Sequence, residues 1–146
     1  MNSLRLTLTV LTAAISSLSG CDAAYRDVSS ELLHKGRVGQ TCTVLASLRA
    51  HGVAKKLEGE KPTEYVSIWN PGFSGPDVTF TAAIEPGAKI KVLSARKCTN
   101  CPFDEQVEYQ VQVSPEPTSF TGKAAYLRAQ SHSPQYLRCS GGGNTV

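Results

Sequence analysis

The clearest pattern in the chain is the alternation of Val107, Tyr109, Val111 and Val113 against Glu108, Gln110 and Gln112. Successive side chains of a strand point to opposite faces, so this run predicts a strand with one packed face and one wet face. Cys42, Val44, Ala46 and Leu48 repeat the same period and predict a half-buried strand. Tyr65–Trp69 forms a second apolar run, stopped by Asn70-Pro71-Gly72. Val78, Phe80 and Ala82 begin another strand, and Ile90 and Val92 mark the one after the Glu85-Pro86-Gly87 turn. Weaker pieces follow at Ala124–Arg128 and Tyr136–Cys139. Residues 71–77 carry too much proline and glycine for regular structure. Before all of this, residues 22–36 predict a tether holding a short helix, capped by Asp27, with Leu32 and Leu33 as its apolar face and Gly36 ending it. Short strands separated by turn signals predict a mostly β fold, a small antiparallel barrel or sandwich.

The first 20 residues follow a different rule. Arg5 is followed by a short apolar stretch that ends in Ser16, Ser17 and Ser19. A membrane-spanning helix needs roughly 20 mostly apolar residues, so this segment reads as a signal peptide rather than a span. It closes on Leu18-Ser19-Gly20-Cys21, which resembles the lipobox of bacterial lipoproteins. The resemblance implies cleavage after residue 20 and a diacylglyceryl thioether on Cys21. It also implies a membrane anchor; no cofactor is expected beyond that covalent lipid. Asp22 resembles the retention signal for the inner membrane, which favours the periplasmic face of that membrane, with the outer membrane as the alternative. The resulting organisation is a signal peptide over 1–20, a lipidated tether over 21–39, a β domain over 40–139 and a disordered tail over 140–146, where apolar content is lacking.

Removing 20 residues from 146 leaves 126, enough for one domain with a real core. Of 15 Lys and Arg only Arg5 lies in the leader, so 14 stand against 12 Asp and Glu in the mature chain, a balance of +2. The basic residues are scattered, with Lys55-Lys56 and Arg96-Lys97 as the longest runs, which argues against a nucleic-acid groove.

Cys42, Cys98, Cys101 and Cys139 remain after Cys21. An even number in an exported chain points to disulfides, with three possible connectivities. The two-residue spacing of Cys98 and Cys101 favours their pairing across a turn, leaving Cys42 with Cys139. The segment from Pro86 to Leu93, joined by a loop to Val107–Val113, resembles part of a bacterial SH3-like barrel, which implies a cell-wall ligand such as peptidoglycan. That family's closing Gly-Trp-Val element is absent here, since Trp69 precedes the segment.

Catalytic chemistry has little footing. Cys98-Thr99-Asn100-Cys101-Pro102 has the spacing of a redox dithiol but lies between strands, without the helix start that lowers a thiolate pKa. Gly72-Phe73-Ser74-Gly75-Pro76 fails as a nucleophile elbow because proline stands where the second glycine belongs. His34, His51 and His132 fall in no catalytic or metal-ligand spacing and are expected in solvated loops. No metal site is expected, since the partners of one Cys-x-x-Cys are single and distant. Trp69 and Phe73 flank a stiff loop and are either core or interface anchors. The leading expectation is a lipid-anchored, non-enzymatic module that binds an envelope protein, as an inhibitor, immunity protein or accessory subunit. An SH3-like wall binder and a thiol-redox protein are the alternatives.

Overall fold

The computed structural model describes residues 23–54, 62–101 and 106–140. The expected signal peptide over 1–20, the expected lipidation position Cys21, Asp22 and residues 141–146 of the expected tail lie outside the described residues, while Ser140, expected to open that tail, belongs to the last strand. The elements in order are β1 (Tyr25–Asp27), α1 (Leu32–Lys35), β2 (Thr41–Val44), β3 (Leu48–Val53), β4 (Tyr65–Ile68), β5 (Val78–Ile84), β6 (Lys89–Cys98), β7 (Val107–Ser114), β8 (Ala124–Arg128) and β9 (Leu137–Ser140). Short 3-10 turns lie at Thr118–Phe120 and Ala129–Ser131.

The chain is mostly β, as the alternation requires, and its strands form one mixed nine-stranded sheet in the order β5-β3-β4-β8-β7-β6-β2-β9, with β1 on β6. Two details depart from the expected antiparallel barrel or sandwich. β4 and β8 run parallel, and β5 and β9 stand at opposite ends of the ladder, so hydrogen bonds do not close the sheet. β6 serves as the spine. Its whole length pairs with β7, while its other edge takes β2 at Lys89–Lys91 and β1 at Arg96–Cys98.

The alternation over 42–48 resolves into two strands rather than one. β2 pairs with β6 and β9, whereas β3 pairs with β4 and β5, so the chain turns a corner at Leu45–Ser47 to change neighbours. The N-terminal boundary also moves. β1 pairs with Cys98, Lys97 and Arg96, and Val28 is fully buried, so the β domain begins at Tyr25 rather than at residue 40. The expected helix is a single turn, with Leu32 and Leu33 95% and 80% exposed instead of packed. Asp27 does not cap it. Its Oδ1 accepts the Ser29 N–H at 2.7 Å, which holds its carboxyl below the ordinary aspartate range.

The inner face carries Leu48, Ala50, Val66, Ile68, Ile90, Val92, Tyr109, Val111 and Leu127, with Phe120 inserted from its 3-10 turn. Fully burying a side chain of the Leu or Phe type contributes about 1.5–3 kcal/mol. The outer faces of β3 and β4 are covered as well, for His51 and Ser67 are only 2% exposed. That second buried layer is where polar chemistry collects.

Candidate functional site

Period-two geometry fixes which residues share the outer face. Tyr109 and Leu127 face the core and are register partners, so Glu108, Arg128 and Tyr126 face outward. One outward row crosses the sheet as Thr81, His51, Ser67, Tyr126, Gln110 and Ser94, each the register partner of the next. The neighbouring row runs Arg128, Glu108, Arg96 and Asp27.

Along these rows cations alternate with rings. The Arg96 guanidinium lies 3.9 Å from the Tyr25 ring centre and 3.3 Å from that of Tyr126. Its Nε and Nη2 donate to the same oxygen of Glu108, at 3.0 and 2.7 Å. Tyr65 meets Tyr126 edge-on at 5.9 Å. Burial pushes the Tyr65 hydroxyl up to about 12, and burial together with the Glu108 carboxylate raises that of Tyr25. Arg128 lies 4.1 Å over Trp69 and 6.0 Å from Phe73. Cation–π contacts of this kind contribute about 0.5–2 kcal/mol each, more where water is excluded.

Arg128 differs from Arg96 in one respect. Its register partner Glu108 is committed to Arg96, and among the described residues no carboxylate pairs with Arg128. Its Nε is buried with no hydrogen-bond partner, as are His51 Nε2 and Ser67 Oγ. These three atoms belong to adjacent strands of one face, under the Pro71–Phe73 loop. Asn70 fastens that loop. Its Oδ1 accepts the Arg49 N–H at 2.8 Å, its Nδ2 donates to the Ser47 carbonyl at 3.0 Å, and its own N–H donates to Ser131 Oγ at 3.0 Å. Gly72, at φ +96°, passes so close to the imidazole that a Cβ there would lie 2.7 Å from His51 Nε2. Phe73 stacks on His51 at 4.6 Å and on Trp69 at 5.8 Å. Thr81 Oγ1 lies 3.2 Å from His51 Nδ1, and burial first, then Arg49, holds the His51 pKa below the ordinary histidine value.

A second cluster lies on the inner side. Cys42 and Cys139 face each other across β2 and β9 and are disulfide-bonded, as are Cys98 and Cys101. The favoured connectivity is therefore the one present. His132 Nε2 sits 4.0 Å from the Cys42 sulfur and 3.8 Å from that of Cys139. Its ring packs 5.3 Å from Tyr109, whose hydroxyl accepts from Arg37 Nη1 at 2.7 Å and meets His34 Nδ1 at 3.0 Å. Burial, followed by the Arg37 charge, lowers the His132 pKa.

Trp69 and Phe73 thus stand together on the outer face, half-buried and away from the core. The histidines are not solvated loop residues: His51 is in β3 and buried, while His34 and His132 are half-buried in polar contacts. Arg96, Arg128, Tyr25 and Tyr126 went unmarked in the sequence. The one available signal was the alternation Ala124, Tyr126, Arg128, which needs the strand register before it says what those rings and cations face. Comparison with protein-family models, with curated proteins and with solved structures finds no match.

Proposed function

We propose that this chain is an exported bacterial lipoprotein, held to the envelope by lipid on Cys21, whose outer sheet face docks a second envelope protein without catalysing a reaction on it. The observation that carries the docking half is Arg128, stacked on Trp69 beside Phe73 and without a carboxylate partner among the described residues. Tryptophan, tyrosine and arginine dominate the energetic centres of protein interfaces, the rings because they bury much area at small loss of rotamer freedom and arginine because its planar fork binds carboxylates through paired hydrogen bonds. A partner that fits presents a carboxylate to Arg128 and an apolar side chain to the Trp69–Phe73 step. The arrangement suits an inhibitor, an immunity protein or an accessory subunit, each of which acts by covering another protein's surface. The anchor half is supported by the lipobox and by two disulfides, which persist in an oxidising compartment.

The test is site-specific photo-crosslinking in cells. A photoreactive residue at position 69 is expected to capture one defined envelope protein, and Arg128→Glu is expected to abolish that adduct. The same probe at exposed Lys123 is expected to capture none. Equal capture from positions 69 and 123, or capture indifferent to Arg128→Glu, overturns the proposal.

A further inference from the structure

The inner cluster carries chemistry that docking does not use. Three soft or borderline metal-ligand atoms, the sulfurs of Cys42 and Cys139 and a histidine nitrogen of His132, lie within 4.8 Å of one another. A tetrahedral zinc site with Zn–S near 2.3 Å and Zn–N near 2.0–2.1 Å places its sulfur and nitrogen ligands about 3.6 Å apart. The observed 3.8 and 4.0 Å from His132 Nε2 to the two sulfurs approach that spacing before any metal is considered.

The pairing of β2 with β9 sets the two cysteines opposite each other. Thr41, Cys42, Thr43 and Val44 are register partners of Ser140, Cys139, Arg138 and Leu137. A reduced pair on these register positions remains on neighbouring strands, and the site requires the two sulfurs to rotate apart to the spacing of two metal ligands. Access is one-sided. Cys42 is fully buried, whereas Cys139 lines a cavity of about 300 Å³ that Arg37, Gln40, His132 and Ser133 also border.

We propose that Cys42, Cys139 and His132 form a redox-gated zinc site. The disulfide is its closed form. A dithiol reductant opens it by attacking the Cys139 sulfur with a thiolate, breaking the bond to Cys42 and releasing the Cys42 thiolate. The reductant's second thiolate then attacks its own bound sulfur, which frees Cys139 and leaves the reductant as a disulfide. Two electrons pass to the protein, and each protein sulfur takes up a proton if no metal is at hand. Zinc binding displaces those two protons. Two thiolates and one neutral imidazole cancel the charge of Zn²⁺, and the fourth position opens to water in the cavity.

The test uses the full-length chain carrying Cys98→Ser and Cys101→Ser, so that the other dithiol does not compete. The protein is reduced with dithiothreitol, desalted without air and titrated with Co²⁺, then Zn²⁺. Expected are one Co²⁺ per chain with thiolate-to-cobalt charge-transfer absorption, its replacement by one Zn²⁺, release of about two protons, and protection of Cys42 and Cys139 from alkylation. His132→Ala is expected to weaken binding about tenfold or more, and the oxidised protein is expected to bind neither ion. Far-UV circular dichroism of the reduced chain is expected to keep its β signal. Loss of that signal, absence of charge transfer, or binding indifferent to His132→Ala each overturns the site.

Discussion

Arg96 and Glu108 give the sharpest energetic test of the outer face. Their side chains are 23% and 4% exposed, and both guanidinium contacts fall on one carboxylate oxygen. Removing one partner of a buried ion pair costs about 3–5 kcal/mol, because the survivor is left charged in a poorly solvated place. The exposures make the two losses unequal. Without Glu108, Arg96 still reaches water and keeps its contacts with Tyr25 and Tyr126. Without Arg96, Glu108 loses both guanidinium hydrogen bonds, keeps only its register partner Arg128 as a neighbouring cation, and both ring contacts vanish. Arg96→Ala is therefore expected to cost about 4 kcal/mol and Glu108→Gln about 2 kcal/mol. The double variant should fall short of their sum by at least about 1.5 kcal/mol, since neighbours in one network couple. Urea unfolding followed by circular dichroism reads all three as shifts in midpoint at constant slope. Additive losses to within about 0.5 kcal/mol, or a larger cost for Glu108→Gln than for Arg96→Ala, refute the reasoning.

Gly72→Ala places a side chain at positive φ and against His51 Nε2, so it is expected to cost about 1–3 kcal/mol and to raise the labelling of His51 by diethyl pyrocarbonate. An unchanged midpoint would show that the loop does not press on the imidazole. The depressed pKa of His51 means that the unfolded chain takes up a proton at a higher pH than the folded one. Stability is then complete above the ordinary histidine value of about 6.5 and is lost as pH falls from there to the folded value. His132 acts with the same sign, so His51→Asn should flatten only part of the decline, as read by unfolding free energies across that range. Cys21→Ser is expected to abolish incorporation of labelled palmitate into the chain, whereas undiminished labelling of that variant would contradict the anchor.

Much of the fold was legible because it rests on local rules. Val107–Val113 declared its packed face, although Glu108 on the face expected to be wet is buried; Asn70-Pro71-Gly72 marked the end of β4, and Pro86-Gly87 a real turn. Cysteine spacing suggested both bridges, and β2 and β9 bring Cys42 and Cys139 together across 97 residues of sequence. What escaped was long-range. The parallel pairing of β4 with β8 leaves no local mark, and neither does the change of neighbours between β2 and β3. Leu32 and Leu33 read as a small apolar helix face, but one turn of helix brings them to no partner in the core. The candidate site failed for the same reason. Trp69 and Phe73 stood out as aromatics beside a stiff loop, but their worth comes from Arg128 and His51, which only the sheet register sets beside them.

The outer face is the working surface in this account, and footprinting by hydroxyl radicals with mass spectrometry tests that most directly. The protein is labelled in its own membranes and again after purification. Tyr25, Trp69, Phe73 and Tyr126 should be protected in the membranes and become reactive once the protein is alone, while Leu32 and Leu33 remain reactive after purification. Equal labelling of those four rings in both states would contradict the claim that this face is covered by a partner.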